Sequence, residues 1–516
     1  MHKLKAIKIS KTQVHDLRTK LKNRQLEDID YTLLDDFVQS YLSFQQALAE
    51  KNITIAKLRS IFGSKTERIS QPLSYREKQQ KQKKNGHRKS SDYPNAKIIE
   101  VMHENLKRGD MCPKCLKGRL YQLRSGNVIH ITGQVPFQVE VYKPERLRCA
   151  LCGHVFTAKL PREVYEDRCS CTAKATAVML KYRMGMPFYR QASMQKLLGM
   201  PITASEICKM TKDVANILEP VFFGLIKKSA QGHTIHNDDT TARVLELIKE
   251  NKDSKENKKF RKGIFTSAIL SKVDDKVISL YFTGRRHAGE NLSAVLDHRD
   301  GSRAPPVQSC DALSCNQPGE HKTQISYCLA HCRRKFYALL DFWPELLSTV
   351  LEWFREVFHN DKQASEYKFN PSDRLTWHQE TSRWSMTKLR IWCYNMFSRR
   401  KVEPNSALGN AINYTLKHWE GLTLFLRVKG APISNNENEQ QIKTAVLNRK
   451  NSYFFKTLQG ANVGDIALSI IDTCSRNGIN PWDYLVAVQK YQKEVQRAPE
   501  NWFPWNYQQH ILKTTC

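Results

Sequence analysis

Thr234-Ile235-His236-Asn237-Asp238-Asp239-Thr240, Ile264-Phe265-Thr266-Ser267-Ala268-Ile269 and Val277-Ile278-Ser279-Leu280-Tyr281-Phe282 follow one another, and Val307-Gln308-Ser309-Cys310 then runs into Asp311. Short runs rich in β-branched and aromatic residues, bounded by turn signals such as Thr283-Gly284-Arg285-Arg286, predict strands. The first strand carries Asp238 and Asp239, and the last delivers Asp311 at its end. Open α/β sheets place their chemistry at the ends of strands, so these acids are the first candidates for a site.

A second acidic stretch comes much later. Ser434-Asn435-Asn436-Glu437-Asn438-Glu439 opens a helix that continues through Gln440-Gln441-Ile442-Lys443 to Asn448-Arg449-Lys450-Asn451. Ser434 and Glu437, three apart, fit a capping box. Glu439 lies two residues beyond Glu437, about 200° around the helix, and points the other way. Lys443, Val446 and Lys450 follow along its stripe. A carboxylate for a divalent ion with cations beside it for phosphate suits an enzyme acting on phosphodiesters. Three strands in succession, the first bearing acids, predict the opening of a ribonuclease-H-like sheet.

The 516 residues carry 82 Lys and Arg against 51 Asp and Glu, a formal charge of +31. Such an excess favours polyanionic partners, nucleic acid above all. No apolar run reaches the roughly 20 residues needed to span a bilayer, and Met1-His2-Lys3-Leu4-Lys5 lacks a following apolar stretch, so neither a membrane span nor a secretory signal is expected. With 14 cysteines and no export signal, a reducing cytoplasm is expected, where paired thiols suit metal.

Residues 1–68 hold a heptad pattern: Leu34, Tyr41, Leu48, Ile55 and Phe62 at one position, Phe37, Phe44, Lys51 and Leu58 at the other. This predicts a coiled coil and self-association, or a helical hairpin within one subunit. Residues 69–97, with Tyr75-Arg76-Glu77-Lys78-Gln79-Gln80-Lys81-Gln82-Lys83-Lys84, read as a basic flexible linker. In 98–160, Cys112-Pro113-Lys114-Cys115 is answered by Cys149-Ala150-Leu151-Cys152. Two such knuckles predict a four-thiolate structural zinc site, and Val128–Ile131 and Val139–Tyr142 the hairpin of a zinc ribbon. Residues 161–229 read as helical: Met186-Pro187-Phe188-Tyr189-Arg190-Gln191 opens a helix, Pro201 breaks it, and Thr203-Ala204-Ser205-Glu206 caps the next. The pair is either a helix-turn-helix DNA reader or plain helix packing.

Taken together, Leu58-Arg59-Ser60-Ile61-Phe62-Gly63-Ser64-Lys65-Thr66-Glu67-Arg68, Pro187-Phe188-Tyr189-Arg190-Gln191, Asp238-Asp239-Thr240, Cys328-Leu329-Ala330-His331-Cys332-Arg333-Arg334-Lys335-Phe336, the stretch from Asn435 to Asn451, Asn477-Gly478-Ile479-Asn480-Pro481-Trp482-Asp483-Tyr484-Leu485 and Phe503-Pro504-Trp505 resemble the transposases of the insertion sequence 66 family. The resemblance runs over nearly the whole chain. It implies Asp238, Asp311 and Glu439 as a metal-binding DDE triad on a ribonuclease-H-like fold. The chain departs from the family pattern at Ser434, where an acid is usual, at Gln440, where an arginine is usual, and at Ala312-Leu313 after Asp311.

The expected architecture is multidomain α+β. The N-terminal coiled-coil helix, zinc ribbon and helical DNA-binding region precede an α/β catalytic domain over 230–460, and 461–516 forms a C-terminal domain. Between Asp311 and Glu439 lie 127 residues, and the apolar periodicity of Trp343–Phe358 and Trp384–Phe397 predicts a helical insertion over about 335–430. Cys328 and His331 form a Cys-x-x-His unit read as packing. Arg333, Arg334, Lys335, Lys443, Arg449 and Lys450 are candidate DNA contacts. The expected chemistry uses two divalent ions, magnesium or manganese, to activate water and then a DNA 3′-hydroxyl for in-line attack. Expected partners are double-stranded DNA (element terminal repeats and target), further copies of the chain and accessory transposition proteins, in a bacterial cytoplasm at the nucleoid. A nuclease or resolvase that cuts without joining, and a non-catalytic DNA-binding derivative, are the alternatives.

Overall fold

A computed structural model of the chain describes residues 136–148, 155–253 and 261–514, with parts of 20–38 and 108–119. The heptad seam past Leu34, the linker 69–97, the segment Val128–Ile131 and Cys112, Cys115, Cys149 and Cys152 lie outside the described residues. Met1–Gly133 and Gln134–Cys516 are separate compact units. In the first, Met111 and Arg119 form an isolated antiparallel bridge around a turn at Pro113 and Lys114. No helix among the described residues is long and apolar enough to cross a membrane.

The second unit is mixed α/β. A small antiparallel hairpin pairs β1 (Arg146–Arg148) with β2 (Val155–Thr157). The segment Val139–Tyr142, predicted as a strand, is instead irregular and exposed, with Val141 78% exposed. Helices α1 (Arg162–Glu166), α2 (Cys171–Val178), α3 (Phe188–Leu197) and α4 (Ala204–Ser229) follow. The predicted capping box opens α4: Glu206 N–H donates to Thr203 Oγ1 at 3.2 Å and Thr203 N–H to Glu206 Oε2 at 2.9 Å. Along α4, Ile207, Val214, Leu218, Val221 and Leu225 are buried, a helical stripe facing the core.

The main sheet contains β3 (Thr234–Thr241), β4 (Phe265–Val273), β5 (Lys276–Gly284), β6 (Val307–Cys310) and β7 (Gln324–Tyr327). Its order is β5-β4-β3-β6-β7, antiparallel among the first three and parallel from β3 through β6 to β7. Each strand predicted between Thr234 and Cys310 is present. Helix α5 (Leu245–Asp253) lies between β3 and β4, and α6 (Ala288–Leu296) precedes β6.

After β7 the chain is helical through α7 (Leu329–Tyr337), α8 (Pro344–Glu366), α9 (Pro371–Thr381), α10 (Arg383–Ser398), α11 (Ala407–Lys417) and α12 (Trp419–Leu422). These helices bury a core of their own, with Phe336, Phe354, Leu389, Ile412 and Phe425 at its centre. Helix α13 (Asn436–Ser452) then returns to the sheet, packing on β3 and β4. Its inward residues are polar and spaced three or four apart: Asn438, Gln441, Ala445 and Asn448. Asn438 Nδ2 donates to Ala268 O, Gln441 Nε2 to Leu280 O and Asn448 Nδ2 to Tyr182 O, at 3.2, 3.2 and 2.9 Å. A helix that looks solvated by composition is thus bound by amide side chains to backbone carbonyls, which have a second lone pair to offer.

Helix α14 (Leu458–Arg476) guards the edge strand β5. An edge strand carries a row of unpaired N–H groups that invites aggregation. Here Thr283, Tyr281, Ser279 and Val277 donate theirs to Asp465 Oδ2, Ser469 Oγ, Thr473 Oγ1 and Asn477 Oδ1, at 2.6, 2.9, 3.0 and 3.1 Å. Four helical residues rise about 6.0 Å and two strand residues about 6.7 Å, so the two periods stay nearly in step. Helices α15 (Pro481–Lys490), α16 (Gln492–Arg497) and α17 (Tyr507–Thr514) close the chain, and α14, α15 and α4 share one core with the sheet.

Candidate active site

The alternation of β3 separates its two aspartates. Successive side chains point to opposite faces, and Asp239 turns toward α6: its Oδ2 accepts from His287 Nδ1 at 2.8 Å and from Ala288 N at 3.3 Å. Asp238 is on the other face, where α13 packs. Strand β6 runs parallel to β3 with Thr234 opposite Val307, Ile235 opposite Gln308 and His236 opposite Ser309. The same offset carried two residues on sets Asp311 level with Asp238. Asp311 is held at the strand end by Leu313 N, which donates to its Oδ1 at 3.1 Å, and by Asn316 Nδ2.

Glu439 reaches the same region from the first turn of α13. Burial and then the charge of Asp311 raise the Asp238 carboxyl to about 7, with Asp239 and Glu439 adding to the effect. The charges of Asp311, just past β6, and Glu439 on α13 therefore reach Asp238 on β3 closely enough to oppose its ionisation. A guanidinium answers one of them: Arg334 Nη2 on α7 lies 3.3 and 3.1 Å from the two oxygens of Glu439.

The start of α13 differs from its sequence reading. Asn435, not Ser434, precedes the first helical turn, and no side chain caps it. Asn435 is drawn into the sheet instead: its Nδ2 donates to Asn237 O at 3.2 Å, its Oδ1 pairs with His236 Nδ1 at 3.1 Å, and its N–H donates to Cys328 Sγ at 3.2 Å. Burial holds His236 down to about 4, so it is neutral there. Glu437 makes no capping box. It pairs with Lys272 on β4 at 2.8 Å; burial pushes its carboxyl up, but the Lys272 ammonium outweighs this and holds it below the usual range. Glu437 and Glu439 do face different partners, as the helical geometry requires.

Cys328 and His331 sit beside this junction. Cys328 is buried against Asn435, and His331 Nδ1 lies 3.8 Å from Glu439 Oε1. Ligand atoms of Cys328, His331 and Glu439 lie within 4.8 Å of one another, as do those of Asp239, His287 and Cys315. Of the candidate DNA contacts, Arg333 is buried with its guanidinium over Tyr337, and Lys335 is exposed with its ammonium over Tyr414. Lys443 and Lys450 are exposed, whereas Arg449 is half-buried and donates to Thr240 Oγ1 at 3.1 Å and Thr241 Oγ1 at 2.7 Å. Sequence reading missed His236, Asn435 and Lys272 as supports of the site. Nothing local marks them, since each partner is more than 150 residues away.

The sequence matches the family described as Transposase IS66 family over residues 168–463, more than half of the chain. The chain belongs to the IS66 transposase family. It is 24% identical to the uncharacterized protein y4jD of Sinorhizobium fredii over 381 residues, 70% of this chain and 71% of y4jD. It is also 24% identical to the uncharacterized protein y4hP of the same organism over 337 residues, 61% of this chain and 58% of y4hP. The segment shared with the IS66 transposase family takes in Asp238, Asp311, Cys328, His331 and Glu439.

Proposed function

We propose that this chain is a DNA transposase that binds element ends and carries out metal-dependent strand cleavage and 3′-hydroxyl strand transfer, with Asp238, Asp311 and Glu439 as its triad. The observation that carries this reading is the meeting of these three carboxylates: burial, then the charge of Asp311, with Glu439 adding to it, raise Asp238 to about 7. An all-oxygen, anionic donor set suits a hard divalent cation such as magnesium or manganese, and its binding would relieve the mutual repulsion. Such an ion, when bound, would supply Lewis-acid activation of the attacking oxygen. The chain's own groups do the rest. Asn316 and Leu313 N–H orient Asp311, and the junction of Asn435 with His236 and Cys328 fixes the helix that carries Glu439. Arg334 and the exposed Lys443 would meet phosphate on this reading.

The strand order, antiparallel through β5, β4 and β3 and parallel to β6 and β7, supports a ribonuclease-H-like reading of the sheet. On that reading α7 to α12 form a helical insertion, the region 161–229 contacts DNA, and 461–516 closes the sheet edge. The four cysteines Cys112, Cys115, Cys149 and Cys152 are proposed to hold structural zinc, the second pair between β1 and β2. Further copies of the chain and accessory proteins would complete the active assembly.

The test is strand transfer by the purified chain on a duplex carrying the element's own 3′-hydroxyl end, with magnesium. Cleavage and joining should both fall by at least about a thousandfold in Asp238→Asn, Asp311→Asn and Glu439→Gln. Cleavage without joining would indicate a nuclease, and DNA binding without cleavage a non-catalytic derivative.

A further inference from the structure

Helix α10 has an exposed face of unusual composition. From Arg383 to Lys401 the chain holds Arg383, Lys388, Arg390, Arg399, Arg400 and Lys401 and no carboxylate. Trp384, Ile391 and Tyr394 are 63%, 53% and 52% exposed on this helix. Arg383 and Arg390 line a pocket of about 320 Å³ together with Met386, Trp419, Leu426 and Arg427. Arg427 is engaged by Glu420 at 2.8 Å, but Arg383 and Arg390 have no carboxylate within ion-pairing distance among the described residues.

The aromatic rings act as props for the cations. The Arg390 guanidinium lies 5.4 Å from the Trp419 ring and 5.8 Å from Tyr394, and the Lys388 ammonium 5.7 Å from Trp384. Such contacts hold long side chains in place without neutralising them. Arg383 and Arg390 are two turns apart on one face, about 10 Å along the axis. DNA presents a phosphate on each strand every 3.4 Å or so of duplex axis, so this span covers about three phosphates.

We infer that the α10 face, from Arg383 to the Arg399-Arg400-Lys401 end, is a docking surface for the phosphate backbone of duplex DNA, separate from the triad. It rests on the reading of the chain as a DNA-acting transposase. It adds a sequence-independent grip outside the region where the chemistry would occur, and the charge pattern selects a polyanion as occupant: a neutral partner surface would leave no use for six cations on a carboxylate-free stretch beside exposed rings.

The experiment is fluorescence anisotropy of the full chain with two duplexes, one bearing the element end and one of unrelated sequence, over a salt series. In Arg383→Gln/Arg390→Gln the slope of log affinity against log salt should become shallower by about 1 to 2, with affinity down about tenfold near 0.1 M salt on both duplexes. Arg383→Lys/Arg390→Lys should keep most of the slope. Arg355→Gln, which removes a cation already paired with Glu352 on α8, should leave it unchanged. Unchanged slope and affinity in the Gln variant, with circular dichroism like wild type, would overturn the docking surface while leaving the triad reading intact. Failure of the wild-type chain to bind either duplex would overturn both.

Discussion

At the scale of single residues, the adjacent pair Asp238 and Asp239 is separated by strand geometry alone. Asp239 is committed to His287 and the first turn of α6, so Asp239→Asn should cost about 0.5–1 kcal/mol of stability through the lost charge at a helix N-terminus. It should leave metal-dependent cleavage within a few-fold of wild type, whereas Asp238→Asn abolishes it; comparison of the two by denaturation and cleavage assay checks the assignment. Arg334 is the other decisive residue. Its pair with Glu439 is 47% exposed on the arginine side, so it contributes only about 0.5–1 kcal/mol. A cation that must leave before metal enters lowers metal affinity by that amount. Arg334→Ala should therefore bind magnesium about two- to fivefold more tightly by titration calorimetry; equal or weaker binding would refute the competition. The acids were legible in the sequence because Asp238 lies on a predicted strand, Asp311 follows one and Glu439 stands in the first turn of a helix. Their partners were not, because Lys272, His236 and Arg334 become neighbours of α13 only through folding.

At the scale of elements, the pairing of α14 with β5 gives a pH dependence. Asp465 is buried, accepts from Thr283 N and Oγ1, and is raised by that burial to about 7. A folded-state value above the unfolded one means the native chain holds the proton more tightly. This contribution to stability is then fully present at about pH 4 and lost as pH rises to about 7. Asp465→Asn keeps an acceptor for Thr283 N–H and removes that loss, so at pH 8 it should be more stable than wild type by on the order of 1–3 kcal/mol, and near pH 4 about equal. Urea denaturation at the two pH values measures the difference. Strand and helix positions were readable from period and turn signals, and the Thr203–Glu206 capping box formed as read. The capping box at Ser434 and Glu437 did not form, because Asn435 and Glu437 find stronger partners in His236, Asn237 and Lys272 than in the local backbone.

At the scale of the whole molecule, the sheet, α4, α13 and the C-terminal helices form one cooperative body. Gln134–Cys516 is a single compact unit, with Ile470, Tyr484 and Trp502 in the same core as Ile235 and Leu280. A chain ending at Ser452 would leave the N–H row of β5 open and remove part of that core. It should lose near-ultraviolet circular dichroism and aggregate; a soluble product with native-like tertiary signals would show that the C-terminal helices are dispensable. By itself the sequence determined the strands, the helices after them, the acidic strand ends and the basic character, because these depend on side-chain type and short periods. The tertiary structure alone decided which aspartate of the pair faces Asp311, that an Asn- and Gln-rich helix is buried on the sheet, and that a polar stripe on α14 replaces a missing strand. In each case the free energy comes from hydrogen bonds and charges brought together across more than 70 residues of chain, and no local pattern records which distant group will satisfy a polar side chain.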